Sequence, residues 1–341
     1  MPVYFENIIG NDKLKAMLSS YIEKRAMPHA FIIEGACGSG KKLIAKSVVA
    51  SLCCKQQDGG LLPCQCCINC EKIFKNVSPD VIIIDSGSKQ SIGVDTIREL
   101  KSHTYMSSNE LEMKAYIIDG ADKMTVQAQN AFLKILEEPV TDVMYFLLCE
   151  NSRLLLPTVI SRAPILRTSP VGRKQTVAFL KEKAVSADDE KIKKVAAMSA
   201  GNIGKALMLC MPSPELEEAE KQREAVYEFL GIISEKSTKY DYMQYWSAHI
   251  DKNNVQIELL RLIYSSLRDL IAQKELNDDR LDYFIDSEDA ARFLSKIKPK
   301  YAKKLCMLIE NTIEQLYINQ GASSVSSIML TFAIKAYNAR A

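Results

Sequence analysis

The sequence predicts an α/β domain followed by a wholly helical region. In the first half, apolar runs of strand length alternate with segments whose apolar residues recur at helical spacing, which indicates a parallel sheet. The runs are continuously apolar, and such strands are typical of a sheet covered on both faces. From about residue 172 the strand pattern disappears, and residues 215–341 carry apolar residues at three- and four-residue steps.

The predicted elements of the first half alternate regularly. The strands are 30–34, 81–85, 115–119 and 143–148. The helices between them are 42–52, 94–100 and 125–138, and the last of these stops before a proline.

In the second half, short helices are predicted at 175–183 and 188–198. Two apolar stripes follow, and stripes of this kind are usually core or subunit-packing faces. The stripes are Ile257, Leu260, Ile263, Tyr264, Leu267 and Ile271, and then Leu305, Leu308, Ile309, Ile313 and Leu316.

The composition of the 341 residues is that of an ordinary globular protein, with 47% hydrophobic and 25% charged residues and a net charge of +2. This balance neither requires nor excludes a nucleic-acid partner, because a basic face can be hidden in a balanced total. No apolar run is long enough to span a bilayer, and the N-terminus lacks the pattern of a signal peptide, so we expect a cytoplasmic protein. Only three histidines are present, widely separated, which argues against a histidine-based centre.

The most informative segment is the glycine-rich stretch 35–42, which lies between the first predicted strand and the first helix. In the pattern G-x-x-x-x-G-K-[ST], backbone N–H groups and a lysine surround phosphates, and the final hydroxyl binds Mg²⁺. Lys42 stands where that hydroxyl is required, and an ammonium about 4 Å from Mg²⁺ costs roughly 8 kcal/mol at an effective dielectric constant of ~20. The stretch therefore predicts an NTPase scaffold that is not itself an NTPase. The candidate nucleotide-binding residues in it are Gly35, Gly38, Gly40 and Lys41.

Asp119 ends the third predicted strand, where the Mg²⁺-binding aspartate of a P-loop NTPase lies. In related ATPases the next residue is commonly a glutamate that orients the attacking water, but here it is Gly120. Asp119 is therefore either part of a relic magnesium site or a residue that caps a turn, and the sequence leaves both interpretations open.

Five of the ten cysteines lie between Cys54 and Cys70, which indicates metal binding rather than disulfides in a reducing compartment. Four thiolates satisfy tetrahedral Zn²⁺ in a structural site, and the predicted ligands are Cys54, Cys64, Cys67 and Cys70. Cys53 or Cys66 could replace one of them. Unpaired thiols and a redox Cys-x-x-Cys motif are weaker interpretations of this cluster.

Taken together, these motifs resemble those of the clamp-loader subunits of bacterial DNA polymerase III, which are AAA+ proteins. The resemblance covers about residues 1–210 by motif, and the remainder by length and helical pattern. The matching segments are 5–10, 28–31, the glycine loop, the cysteine insert, 94–100, 119–124, 130–139 and 155–162.

The resemblance implies three domains. A RecA-like AAA+ domain is expected over residues 1–168, with a zinc module at about 53–72. A small helical lid would follow over 169–210, and a helical collar for oligomerisation over 211–341.

The resemblance also implies which parts of the ATP site are missing. Lys42, Gly120 and Gly204 depart from the motor subunits of the family, which carry a lid arginine at the last position, and these departures predict a member without ATPase activity. Whether the relic loop and Asp119 still bind ATP is left open. Ser161 and Arg162 are retained, and in the family this arginine is an arginine finger that faces ATP held by the neighbouring subunit.

The partners implied are the tau or gamma motor subunits and the delta subunit, in a hetero-pentamer that loads the sliding clamp on primed DNA during replication. Contact with the clamp would be indirect or weak, contact with DNA would be through phosphates, and no membrane partner is expected. Two other functions stay open: an ATP-hydrolysing motor-type subunit that tolerates Lys42, and a zinc-dependent nucleic-acid-binding protein. The near-neutral charge argues against the second.

Overall fold

A computed structural model describes residues 3–56, 60–86, 91–183, 188–210, 214–249, 255–276, 283–284, 287–318 and 322–340. The chain divides into two compact units, Met1–Val171 and Gly172–Ala341. The first is α/β and the second is helical, which confirms the predicted fold class. Among the described residues, no helix is both long and apolar enough to cross a membrane.

The strands of the first unit form two parallel sheets. The short strands β1 and β3 pair with each other, and the remaining five form the central sheet in the order β4-β5-β6-β2-β7. The strands are β1 (Val3–Tyr4), β2 (Ala30–Glu34), β3 (Leu61–Leu62), β4 (Val81–Ile84), β5 (Lys114–Asp119), β6 (Val143–Cys149) and β7 (Ile165–Arg167).

Six α-helices of the first unit are described, together with two 3₁₀ turns at Ala121–Lys123 and Ser152–Leu154. The helices are α1 (Asp12–Glu23), α2 (Lys41–Leu52), α3 (Ile68–Phe74), α4 (Val94–Thr104), α5 (Val126–Glu137) and α6 (Pro157–Ile160). Every strand and helix predicted for this unit is present with small shifts of its ends, whereas α1, α3, α6 and the short strands β1, β3 and β7 were not predicted.

Both faces of the central sheet are buried, as the continuously apolar strands predict. Along β2, Phe31 and Ile33 join the core that contains Ile44 of α2, while Ile32 joins the core that contains Phe132 of α5. This alternation follows from the period of two along a strand, which sends neighbouring side chains to opposite faces.

The sheet topology brings distant parts of the sequence to one edge. Parallel strands end at the same edge, so the loop after β2 and the turn after β5 both lie there, with β6 between the two strands. Gly35 N–H donates to Cys149 O and Gly120 N–H donates to Leu148 O, both at 3.0 Å. These bonds fix the starts of the glycine loop and of the turn to the end of β6.

The second unit is described as nine helices around two apolar clusters. The helices are α7 (Arg173–Lys183), α8 (Asp189–Met198), α9 (Ile203–Leu209), α10 (Pro214–Ser234), α11 (Lys239–Ala248), α12 (Val255–Leu276), α13 (Ser287–Leu294), α14 (Pro299–Ile318) and α15 (Ala322–Asn338). The smaller cluster joins α7, α8 and α9 to Ala219 of α10. The larger cluster contains both predicted stripes, which lie on α12 and α14 as core faces. The expected boundaries after residues 168 and 210 stay predictions.

Candidate functional site

The glycine loop has the setting that the sequence predicts, because it joins β2 directly to α2. Gly38 has a φ of 79° and Gly40, which precedes the first residue of α2, has a φ of 86°. These are left-handed conformations that glycine adopts without the steric penalty of a Cβ atom. The two glycines therefore allow the chain to turn tightly between β2 and α2.

Lys41 is turned into its own loop. Its Nζ donates to Gly35 O at 2.6 Å and to Ala36 O at 2.8 Å, and the residue is only 9% exposed. Two carbonyl oxygens thus stabilise a charge that would otherwise be costly to bury. A phosphate group that entered the loop would have to compete with these oxygens for the ammonium.

Lys42 forms an ion pair with Asp119 across the edge of the sheet, with Nζ 2.7 Å from Oδ2. The two side chains are 46% and 31% exposed, so solvent screens the pair and limits its contribution to about 1 kcal/mol or less. The interpretation of Asp119 as a turn cap alone is therefore incomplete, since its carboxylate already binds a cation. Because an ammonium takes the place of the hydroxyl and contacts the carboxylate, this pair does not fit a Mg²⁺ ion.

Gly120 occupies a position where another residue would be strained. Its φ is 79°, and a Cβ built on it would lie 3.3 Å from Cδ of Lys123. A glutamate here would have to adopt left-handed geometry, which costs of order 1 kcal/mol or more outside glycine. The left-handed conformation at position 120 therefore suits glycine and disfavours the glutamate that related ATPases carry there.

Gly204 lies in the first turn of α9, which Asn202 caps by accepting a hydrogen bond from Lys205 N at 2.9 Å. The charged residue of this turn is Lys205, whose Nζ lies 2.7 Å from Oε1 of Glu258 within the second unit. Position 204 therefore carries no arginine side chain, and the adjacent Lys205 forms an ion pair with Glu258.

Arg162 follows the short helix α6 and is bound to α5. Its Nη2 lies 2.8 Å from Oε1 of Glu137, and its Nη1 donates to Thr158 O at 3.0 Å. Ser161 Oγ donates to the same carbonyl at 3.1 Å. The Arg162 side chain is 36% exposed, and an incoming anion would have to compete with the Glu137 carboxylate for the guanidinium.

Gln129 was not predicted as a site residue, yet it connects α5 to the segment that leads to Arg162. It is 3% exposed, its Nε2 donates to Met124 O at 3.2 Å and Leu154 O at 3.4 Å, and its Oε1 accepts from Leu156 N at 2.7 Å. A glutamine on the apolar face of a helix is the signal that could have identified it, because buried amides need hydrogen-bond partners.

The predicted zinc ligands come together at the end of α2 and the start of α3. The Sγ atoms lie within 4.8 Å of one another, and those of Cys64 and Cys70 are 3.8 Å apart. At a Zn–S distance of about 2.3 Å, the sulfurs of a tetrahedral site are about 3.8 Å apart, so the cluster fits a structural Zn²⁺. The four residues are Cys54, Cys64, Cys67 and Cys70.

The two alternative cysteines lie outside this cluster. Burial is the main cause that raises the pKa of Cys53 to about 12, and Cys66 is exposed with its Sγ 3.6 Å from Oε1 of Gln56. At Cys64, burial raises the pKa, but hydrogen bonds from backbone N–H groups, including that of Cys67 at 3.3 Å, outweigh it and lower the pKa to about 6. Burial raises the pKa of Cys54 and of Cys70 in the same cluster, so the positions of the sulfur atoms, and not the pKa values, separate the four ligands from Cys53.

Comparison with known proteins identifies relatives for most of the chain. The family described as DNA polymerase III, delta subunit, matches residues 10–172. The delta' subunit of DNA polymerase III from Bacillus subtilis (strain 168) is 31% identical over 277 residues, which are 80% of this chain and 80% of that protein. The gamma subunit from Buchnera aphidicola subsp. Acyrthosiphon pisum (strain APS) is 30% identical over 241 residues, 69% of this chain and 65% of that protein. The chain thus spans slightly less than two thirds of the Buchnera relative. A gamma subunit-related protein from Thermotoga maritima has 17% identity and a TM-score of 0.40, with 95% of this chain and 100% of that chain covered.

Proposed function

Because the chain belongs to the family of bacterial DNA polymerase III clamp-loader subunits, we propose that it is a delta-prime-type subunit that does not hydrolyse ATP. The single observation that carries this proposal is the Lys42–Asp119 ion pair, which puts an ammonium where hydrolysis needs Mg²⁺. The conformation of Gly120 and the absence of an arginine at position 204 support it from two separate elements.

Arg162, with Ser161 beside it, would act in trans on ATP held by a neighbouring motor subunit. Its guanidinium is positioned by Thr158 O and Glu137, and a phosphate held by the neighbour would take over the place of the Glu137 carboxylate. An arginine supplied from a neighbour stabilises the charge on the transferring phosphoryl group and contributes 10³–10⁵ in rate in other systems.

The remaining parts of the proposal concern assembly. The helical second unit would provide the lid and the collar, and the partners would be motor subunits of the tau or gamma type and a delta subunit. Primed DNA would be contacted through its phosphates in the assembled complex, and contact with the sliding clamp would be indirect or weak. The zinc module would be structural, since four thiolates leave no open coordination position. This role belongs in the cytoplasm.

The test is reconstitution with candidate motor and delta subunits, followed by measurement of ATP turnover by the complex. Arg162→Ala should leave assembly intact and lower ATP turnover, with the loss arising at the neighbouring site that Arg162 faces, and Arg162→Lys should recover little because it lacks the planar fork. The matched control is Arg153→Ala, an exposed arginine on the preceding 3₁₀ turn. Unchanged turnover with Arg162→Ala would refute the role in trans.

A motor-type subunit is the second candidate, because a gamma subunit is among the relatives. It predicts vigorous ATP turnover by the isolated chain, whereas the delta-prime-type proposal predicts none above background. A steady-state assay on the purified chain therefore separates the two.

A further inference from the structure

We infer that the Lys42 ammonium takes the place of Mg²⁺ between the glycine loop and the end of β5, so that ATP binding at this site gains nothing from Mg²⁺. In a P-loop NTPase the loop hydroxyl and the strand-end aspartate are the two protein groups that hold Mg²⁺. In this chain the first of these groups is itself a cation, and it contacts the second at 2.7 Å. Both positions are therefore in contact, as in a P-loop NTPase, but the cation between them is the Lys42 ammonium instead of a bound Mg²⁺ ion.

The surroundings of the pair also disfavour a divalent ion. Lys46 lies one turn further along α2 than Lys42. Burial, and then the charge of Lys42, lower the pKa of Lys46, so a second lysine lies close enough to the pair to add positive charge. Asp119 is the carboxylate that Lys42 contacts, so a Mg²⁺ ion would have to displace the ammonium and then remain beside it.

The consequence is a link that does not depend on nucleotide. A Mg²⁺ ion arrives with ATP and leaves with the products, so the contact between the loop and the aspartate forms and breaks in each cycle of a motor subunit. The Lys42 ammonium is covalently part of α2, so the ion pair with Asp119 can re-form whether or not nucleotide is bound. The inference rests on the proposed lack of hydrolysis at this site, but it is independent of the role of Arg162.

The experiment compares binding of ATP with Mg²⁺ and of ATP with EDTA by calorimetry on the full chain. Wild-type protein should show no strengthening of ATP binding by Mg²⁺. Lys42→Thr restores the hydroxyl, and Mg²⁺ should then strengthen ATP binding by about tenfold or more, equivalent to about 1.4 kcal/mol. Adding Asp119→Asn to Lys42→Thr should abolish that gain.

Lys46→Thr is the matched control, because it removes a neighbouring positive charge from the same helix and leaves the pair intact. It should behave as wild type. The inference is overturned if Mg²⁺ strengthens ATP binding to wild-type protein, if Lys42→Thr gains no Mg²⁺ dependence, or if Lys46→Thr gains as much as Lys42→Thr.

A second measurement keeps the test independent of nucleotide. Asp119→Asn should lower the Tm of wild-type protein by more than it lowers that of Lys42→Thr, because the carboxylate has a partner only in the first case. Equal shifts in the two backgrounds would mean that the pair is uncoupled and would overturn the inference. The arginine-finger proposal is tested by a different measurement, the ATP turnover of complexes that carry Arg162→Ala, so the two proposals can fail separately.

Discussion

Replacing Gln129 by methionine should destabilise the segment that carries Arg162, because the change preserves side-chain size but removes three hydrogen bonds. The bond that Leu156 N–H donates at 2.7 Å is the shortest of them, and its loss leaves a partly buried donor without an acceptor. A buried group left unsatisfied costs about 1–3 kcal/mol, and the two longer bonds to Met124 O and Leu154 O add less. We expect a total loss of roughly 2–4 kcal/mol in the local stability of this connection.

Hydrogen exchange followed by mass spectrometry on peptides that span residues 154–163 measures this loss directly. The single tryptophan, Trp246, lies in the second unit, so its fluorescence would report the wrong part of the chain. Gln127→Met is the matched control, because this glutamine lies on the same helix but is exposed. Gln127→Met should give the same protection as wild type, and the same result for Gln129→Met would contradict the assigned role of its hydrogen bonds.

Two further predictions concern a buried carboxylate and the zinc module. Asp80 is fully buried and accepts hydrogen bonds from the backbone N–H groups of Asn109, Glu110 and Leu111; burial raises its pKa, but these bonds outweigh it and leave the pKa below its usual value. Because the folded-state pKa is depressed, the stabilisation is present above the unfolded pKa of about 3.9 and is lost as pH falls below it. Asp80→Asn should therefore destabilise the protein near neutral pH and weaken the dependence of its stability on acid pH. Urea titrations between neutral pH and about pH 3 measure both effects, and the exposed Asp95→Asn should show neither. Metal analysis should find about one zinc per chain, lost in Cys67→Ser and retained in Cys66→Ser, and equal zinc in both variants would contradict the ligand assignment.

The local patterns of the sequence were sufficient for most elements of the first unit. The runs before the glycine loop and before Asp119 are strands of the central sheet, and the apolar spacing of α5 predicts its buried face. Strand β7, which has only three residues, was not predicted, because so short a segment has no period to detect and is defined by its pairing with β2.

The candidate site divides in the same way. The glycine loop and the Cys-x-x-Cys-x-x-Cys run are contiguous, so their chemistry can be deduced from residue types at fixed short spacing. Short spacing along the sequence does not decide whether Cys54 or Cys53 is the fourth zinc ligand. The choice depends on which thiol faces the other three at the end of α2, and the structure buries Cys53 elsewhere.

The sequence by itself therefore determined the fold class, the placement of the glycine-rich stretch between a strand and a helix, and the cysteine-rich insert, because each depends on neighbouring residues. Only the tertiary structure decided that Lys42 contacts Asp119, that Arg162 is held by Glu137, and that Gln129 connects α5 to the approach to Arg162. The physical reason is that these contacts join elements far apart along the chain. Their partners are set by the order of strands in the sheet and the packing of helices on it, and no local spacing encodes either.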